Sequence, residues 1–131
     1  MEDNFKIDII SPEKIIFSDD IKMATLPSYE GDMSILKSHT SIITFLRPGI
    51  IKVEKKEGVF EDFFVEDGTV EFFNDNLIVL SSSATNIKNL SKETISNMNE
   101  EIKKKLVDKN ITDHDRYILN YKLDTIKELR I

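Results

Sequence analysis

Few residues in this chain combine into a reactive group. There are two histidines, His39 and His114, no cysteine and four scattered glycines. The histidines stand in different parts of the chain without H-x-x-H or H-E-x-x-H spacing, so neither starts a metal site. Absence of cysteine removes thiol nucleophiles, thiolate ligands and disulfides. Acids occur as the adjacent pairs Asp19-Asp20, Glu61-Asp62 and Glu66-Asp67. Neighbours on a strand point to opposite faces, so these pairs read as turns and solvated edges rather than acid–base couples. There is no phosphate-binding loop and no G-x-G-x-x-G. No catalytic residue, metal or cofactor is therefore expected. The remaining concentration of polar chemistry is Glu30-Gly31-Asp32-Met33-Ser34-Ile35-Leu36-Lys37-Ser38-His39-Thr40-Ser41. It combines acid, glycine and histidine between stretches that read as strands, and it reads as a functional loop.

The elements that must position this passage follow from periodicity. Phe5 to Ile10 alternates apolar and polar residues, as a half-buried strand does, and Ser11-Pro12 ends it. Ile15-Ile16-Phe17 is a short apolar run before Ser18-Asp19-Asp20, which reads as a turn. Alternation resumes from Ile21 to Leu26, and Arg47-Pro48-Gly49 is a further turn. Ile51 to Glu54 and Phe60 to Val65 flank Lys55-Lys56-Glu57-Gly58 as a hairpin. Val70 to Phe73 and Leu77 to Leu80 flank Asn74-Asp75-Asn76, whose side chains tolerate positive φ. Short strands at this spacing predict an antiparallel β-sandwich over residues 1–84, with Phe60, Phe63, Phe64, Phe72 and Phe73 in its core.

Ser81 to Asn86 lacks periodicity and marks a boundary. The period then becomes helical. Ser91 is the expected N-cap, and Ile95, Met98, Ile102 and Leu106 form one apolar stripe. After a short break, Thr112 caps a second helix with Leu119, Leu123 and Ile126 as its stripe. Glu93 near the start of the first helix and Lys103-Lys104-Lys105 near its end complement its dipole. So short a link predicts an antiparallel two-helix hairpin over residues 85–131. Tyr117 and Tyr121 lie opposite the second stripe, so the second helix has apolar or aromatic material on two sides: either it exchanges one partner for another, or its tyrosines cover the sandwich while its leucines cover the first helix.

At 131 residues and a net charge of −6, the chain lacks the basic surface of a nucleic-acid or anionic-lipid binder. Charge is uneven: 9 Lys/Arg stand against 16 Asp/Glu in residues 1–90, and 9 against 8 in residues 91–131. No run approaches the roughly 20 apolar residues needed to span a bilayer, and Met1-Glu2-Asp3-Asn4 lacks the apolar core of a signal peptide.

The Glu30 passage resembles a signature, E-G-x-x-G-I-L-P-G-H-A-P-L-L followed by P-G, of the epsilon subunit of rotary proton-translocating ATP synthase (delta in mitochondria). Glu30, Gly31, Ile35, His39, Ile42-Ile43, Pro48 and Gly49 match it. Ser34, Lys37, Ser38 and Ser41 replace glycine, proline, glycine and proline. Ile10-Ser11-Pro12, Phe17-Ser18 and Gly68 extend the likeness through the front unit. The resemblance implies a non-catalytic rotor subunit whose sandwich docks on the gamma stalk and on the polar loops of the c-ring. Its helical hairpin would fold against the sandwich, or extend toward the alpha/beta head and inhibit ATP hydrolysis.

By position, Glu30, Gly31, Asp32 and His39 would face ring and gamma, with Ser11 and Thr44 near gamma. It also implies a peripheral place on the cytoplasmic face of a bacterial inner membrane, or an organelle-encoded equivalent, without direct insertion. Some relatives bind ATP through D-x-x-R-A at the start of the first helix. Here Asn89 to Ile95 occupies that place with Thr94 where the arginine would stand, so no ATP site is expected. The alternative from another class is a free-standing β-sandwich ligand-binding module with a helical dimerisation hairpin.

Overall fold

The computed structural model describes residues 3–129. The strands are β1 (Phe5–Ile10), β2 (Ile15–Ile21), β3 (Met23–Ser28), β4 (Gly31–Leu36), β5 (Ile42–Leu46), β6 (Gly49–Lys56), β7 (Val59–Val65), β8 (Gly68–Phe73), β9 (Asn76–Leu80) and β10 (Thr85–Asn86). Two helices follow, α1 (Lys92–Leu106) and α2 (Asp113–Leu129), after a 3-10 turn at Ile87–Asn89. Hydrogen bonding runs in the order β10-β7-β6-β3-β5-β8-β9-β1-β2, with β4 on the free side of β3. Because β3 meets β5 at the single pair Ser28↔Leu46, the ribbon folds there into two layers. One layer is β10-β7-β6-β3-β4 and the other β5-β8-β9-β1-β2. Pairing is antiparallel except between β1 and β9, which are parallel: the first strand inserts between β9 and its own hairpin partner β2.

Between the layers lies a continuous apolar core, with Ile7, Ile9, Leu26, Ile51, Leu77 and Val79 all at 0% exposure. Edge-to-face contact of Phe5 and Phe72 at 5.6 Å fills one end, and Phe17 against Phe63 at 5.1 Å joins the layers. The five phenylalanines expected in the core divide: Phe63, Phe64 and Phe72 are buried, whereas Phe60 is 54% and Phe73 63% exposed. Strand alternation sends Phe73 out where Phe72 goes in.

Three expectations change. Ser18-Asp19-Asp20 is no turn, since β2 runs through it in register with β1. As an edge strand, β2 carries exposed acids that discourage further pairing, and Ser18 donates a hydrogen bond to Asp8 at 2.6 Å. The Glu30 passage is largely strand: β4 pairs with all of β3, leaving turns at Tyr29-Glu30 and Lys37-Ser38. Thr85 and Asn86 pair with Phe64 and Phe63 of β7, so the sandwich runs past residue 84.

The Ser91 hydroxyl caps α1 by accepting from the Thr94 amide at 3.1 Å, and Thr112 caps α2 by accepting from Asp115 at 3.0 Å. Ile102, Leu119 and Ile126 form the buried centre between the helices. Ile95, Met98, Leu106 and Leu123, the other stripe positions, pack around it together with Ile111.

Candidate functional site

The polar passage does not converge on one point. Asp32 is the second residue of β4 and His39 lies in the turn beyond its end, so the four strand steps from Asp32 to Leu36 hold the two ends about 13 Å apart. At the first end, the Glu30 amide donates to Ser28 Oγ at 3.2 Å, and Ser28 Oγ meets Thr44 Oγ1 at 3.0 Å. Thr44 is only 3% exposed. It supports the Glu30 turn from inside and offers no surface of its own. Gly31 takes φ 122°, a backbone that L side chains rarely adopt. Ser11, 9% exposed, bonds both the carbonyl and the amide of Lys14 to close the β1–β2 turn.

At the other end the His39 ring makes a 2.6 Å contact to the Thr40 carbonyl through Nδ1 and stands edge-on to Phe72 at 5.9 Å. Ser38, at a position where the signature has glycine, holds φ 67°. Its amide donates to Asp75 Oδ1 at 2.7 Å, and the His39 amide to the Leu36 carbonyl at 3.1 Å. The turn thus keeps a glycine-like backbone without glycine. Ser34 lies inside β4 without positive φ, its hydroxyl 3.3 Å from that of Thr25.

Arg47, not singled out by its sequence, gathers the contacts of the first end. Its Nη2 donates to Asp32 Oδ1 at 2.8 Å and its Nη1 to the Pro48 carbonyl at 3.0 Å. Its amide bonds the Pro27 carbonyl at 2.9 Å. The guanidinium carbon lies 4.4 Å from the centre of the Tyr121 ring on α2, and Tyr121 meets Tyr117 edge-on at 4.8 Å. The tyrosines therefore face the sandwich while the leucine stripe faces α1. Gly49 permits the close turn, because a Cβ there would lie 2.5 Å from Pro27 Cβ. Lys122 pairs with Glu66 beside these contacts.

The adjacent acids do structural work. Glu61 accepts from Lys55 at 2.5 Å and from Asn86 at 2.7 Å. Asp62, on the opposite face of β7, keeps Oδ1 buried without a partner. Burial pushes its carboxyl above the usual range, against the opposing pull of the Val53 amide and Lys52. Thr94 belongs to the cap of α1, its hydroxyl 2.8 Å from that of Ser91. Among the described residues no group of three His, Cys, Asp or Glu side chains is placed to hold a metal, and no helix is long and apolar enough to cross a membrane.

The two outer faces of the sandwich differ. Phe64, on β7, is 3% exposed and lines a cleft with Leu90, Met98, Ile102 and Lys122, so the hairpin covers that layer. The outer face of the second layer is bare. Register places Phe45 beside Thr69, Leu80 and Ile10, and then Ile15, in one row across five strands. Ile43, Glu71, Ile78, Asp8 and Ser18 form the next row. Exposures of 65% at Ile43, 60% at Phe45, 50% at Leu80 and 62% at Ile15 leave an apolar face with an acidic margin. Thr44 pointed at this strand by sequence, and alternation assigns the surface to its two neighbours.

The family of the ATP synthase delta/epsilon chain, beta-sandwich domain, matches residues 4–87. The chain is 45% identical over 130 residues to the ATP synthase epsilon chain of Pelagibacter ubique, covering 98% of this chain and 99% of that one. It is 34% identical over 134 residues to that of Parvibaculum lavamentivorans, covering 99% and 98%. In fold it is similar to a chain of the Euglena gracilis mitochondrial ATP synthase (OSCP/F1/c-ring), with a TM-score of 0.76 at 18% identity over 96% of this chain and 79% of that one. A chain of the Tetrahymena thermophila central stalk/c-ring gives a TM-score of 0.64 at 14% identity, covering 96% of each chain. With a sandwich matched over its whole length and relatives matched from end to end, the chain belongs to the ATP synthase delta/epsilon family.

Proposed function

We propose that this chain is the non-catalytic rotor subunit that joins the gamma stalk of an ATP synthase to its c-ring. The observation that carries the reading is the bare apolar outer face of β5, β8, β9, β1 and β2. A face with Ile43, Phe45, Leu80 and Ile15 half or more exposed suits permanent burial against a partner. Its partner is the gamma subunit, and the acidic margin of Asp8, Asp20 and Glu71 suits basic residues around the contact. The Glu30-Gly31-Asp32 turn, propped by Ser28 and Thr44, is the edge offered to the polar loops of the c-ring, and Ser11 closes the separate β1–β2 turn. His39 belongs to a separate contact at the far end of β4. The helical hairpin acts as a regulatory arm, and the complex works peripherally on the cytoplasmic side of its membrane. Family membership disfavours a free-standing ligand-binding module.

The test is binding of the purified chain to its cognate gamma subunit by calorimetry. Phe45→Glu combined with Ile43→Glu should weaken binding at least thirtyfold, the size expected on losing a central apolar anchor. Val59→Glu, at a residue 39% exposed on another strand, should not. Equal binding by the double variant and the parent would overturn the proposal.

A further inference from the structure

The guanidinium of Arg47 belongs to two contacts at once. One side chain that it touches, Asp32, is 68% exposed, while the Arg47 side chain itself is 16% exposed. The other, Tyr121, belongs to α2, which also holds the sandwich through Lys122 and Glu66. Asp32 is thus the outer end of a short chain of contacts whose inner end is the helical hairpin. Arg47 has two of its donors engaged, by Asp32 and by the Pro48 carbonyl, and these fix the height at which it meets the Tyr121 ring. A cation held over an aromatic face depends on that placement.

We propose that Asp32, Arg47 and Tyr121 form a latch that couples the exposed Asp32 edge to the position of the hairpin. While Asp32 holds Arg47, the guanidinium stays against Tyr121 and α2 remains on the sandwich. A cationic side chain of a partner that captures the Asp32 carboxylate releases one anchor of Arg47 and loosens α2. Coupling of this kind is reciprocal, so the docked hairpin also weakens capture of Asp32. The identity of that partner as the c-ring rests on the function proposed above, whereas the latch itself is a property of the free chain.

The free full-length chain therefore gives the test, by amide exchange across residues 92–129. Asp32→Asn imitates capture by removing the carboxylate charge and should speed exchange there about fivefold, the equilibrium factor of one cation–π contact. Tyr121→Leu should do the same, and Arg47→Lys, which keeps the charge but loses the flat face, should behave like Tyr121→Leu. Asp32→Asn added to Tyr121→Leu should give no further increase, because both break one chain of contacts. Glu66→Gln, which breaks the separate Lys122 pair, should add to Asp32→Asn. Exchange in the sandwich core should not move in any of them. Unchanged hairpin exchange in Asp32→Asn, or additive effects of Asp32→Asn and Tyr121→Leu, would overturn the latch. Gamma binding measured on the same variants reports on the proposed function separately.

Discussion

Ser38 gives a sharp test of how the β4–β5 turn holds its shape. The residue sits at φ 67° with its amide on Asp75 at 2.7 Å. For a residue with a Cβ, the left-handed region costs about 1–2 kcal/mol. Ser38→Gly removes that strain and adds an unfolded-state entropy penalty of roughly 0.5–1 kcal/mol. Since the amide hydrogen bond needs no side chain, it survives the change. The balance is a gain of about 0.5–1 kcal/mol, which for a chain of this size raises the melting midpoint by roughly 2–5 °C. Ser38→Val is the opposing perturbation: a β-branched residue at this φ should lose about 1–3 kcal/mol. Urea unfolding of the full chain, read as midpoint at constant slope, measures both. A glycine variant no more stable than the parent, or a valine variant equal to it, would refute the account of this turn.

Two further outcomes follow from buried groups. Burial raises the Asp62 carboxyl in the folded chain, so the folded state binds the proton more readily than the unfolded one. Its contribution to stability is then favourable at acid pH and is lost as pH rises from the ordinary carboxylate range through the raised folded value. Asp62→Asn should flatten that part of the stability profile; an unchanged slope would exclude Asp62 as its source. Ile102, 4% exposed between the helices, should cost about 2–5 kcal/mol on truncation to Ala. Exchange should accelerate over residues 92–129 and leave Leu77 and Val79 unchanged; equal loss in both units would mean that the hairpin does not open separately.

What the sequence displayed was periodicity, and periodicity found most of the sandwich strands, though not β4 or β10, the two helices, and most of both helical stripes, though not Leu129, buried on α2. It could not show pairing. Ser18-Asp19-Asp20 has turn composition, yet β1 lies alongside and supplies a complete ladder, so composition yielded to register. Thr85-Asn86 is too short to alternate and becomes a strand only because β7 offers an edge. The polar passage looked like one loop because its acid and histidine are close in sequence, whereas a strand converts that closeness into length. Thr44 turns inward on β5, and its exposed neighbours are Ile43 and Phe45. Arg47 was invisible because its partners, Asp32 and Tyr121, are 15 and 74 positions away.

The two outer faces of the sandwich bind by different chemistry, and that difference bears on how a rotor subunit can be both fixed and adjustable. The bare face is mainly apolar along the row from Phe45 through Leu80 and Ile10 to Ile15, with Ile43 and Ile78 beside it, and apolar burial loses little strength to salt or to competing charges. Its proposed contact with gamma is suited to last through rotation. The covered face also buries Phe64, but α2 is tied down beside it by Arg47 against Tyr121 and by Lys122 with Glu66. Pairs of this kind near a surface are each worth about 1 kcal/mol or less, and other charges can compete for them. A hairpin held by such contacts is released by exchanging partners without breaking the core between the layers. The Asp32 edge, first in view because an acid and a glycine stand together there, is where such an exchange has the shortest path to the helices.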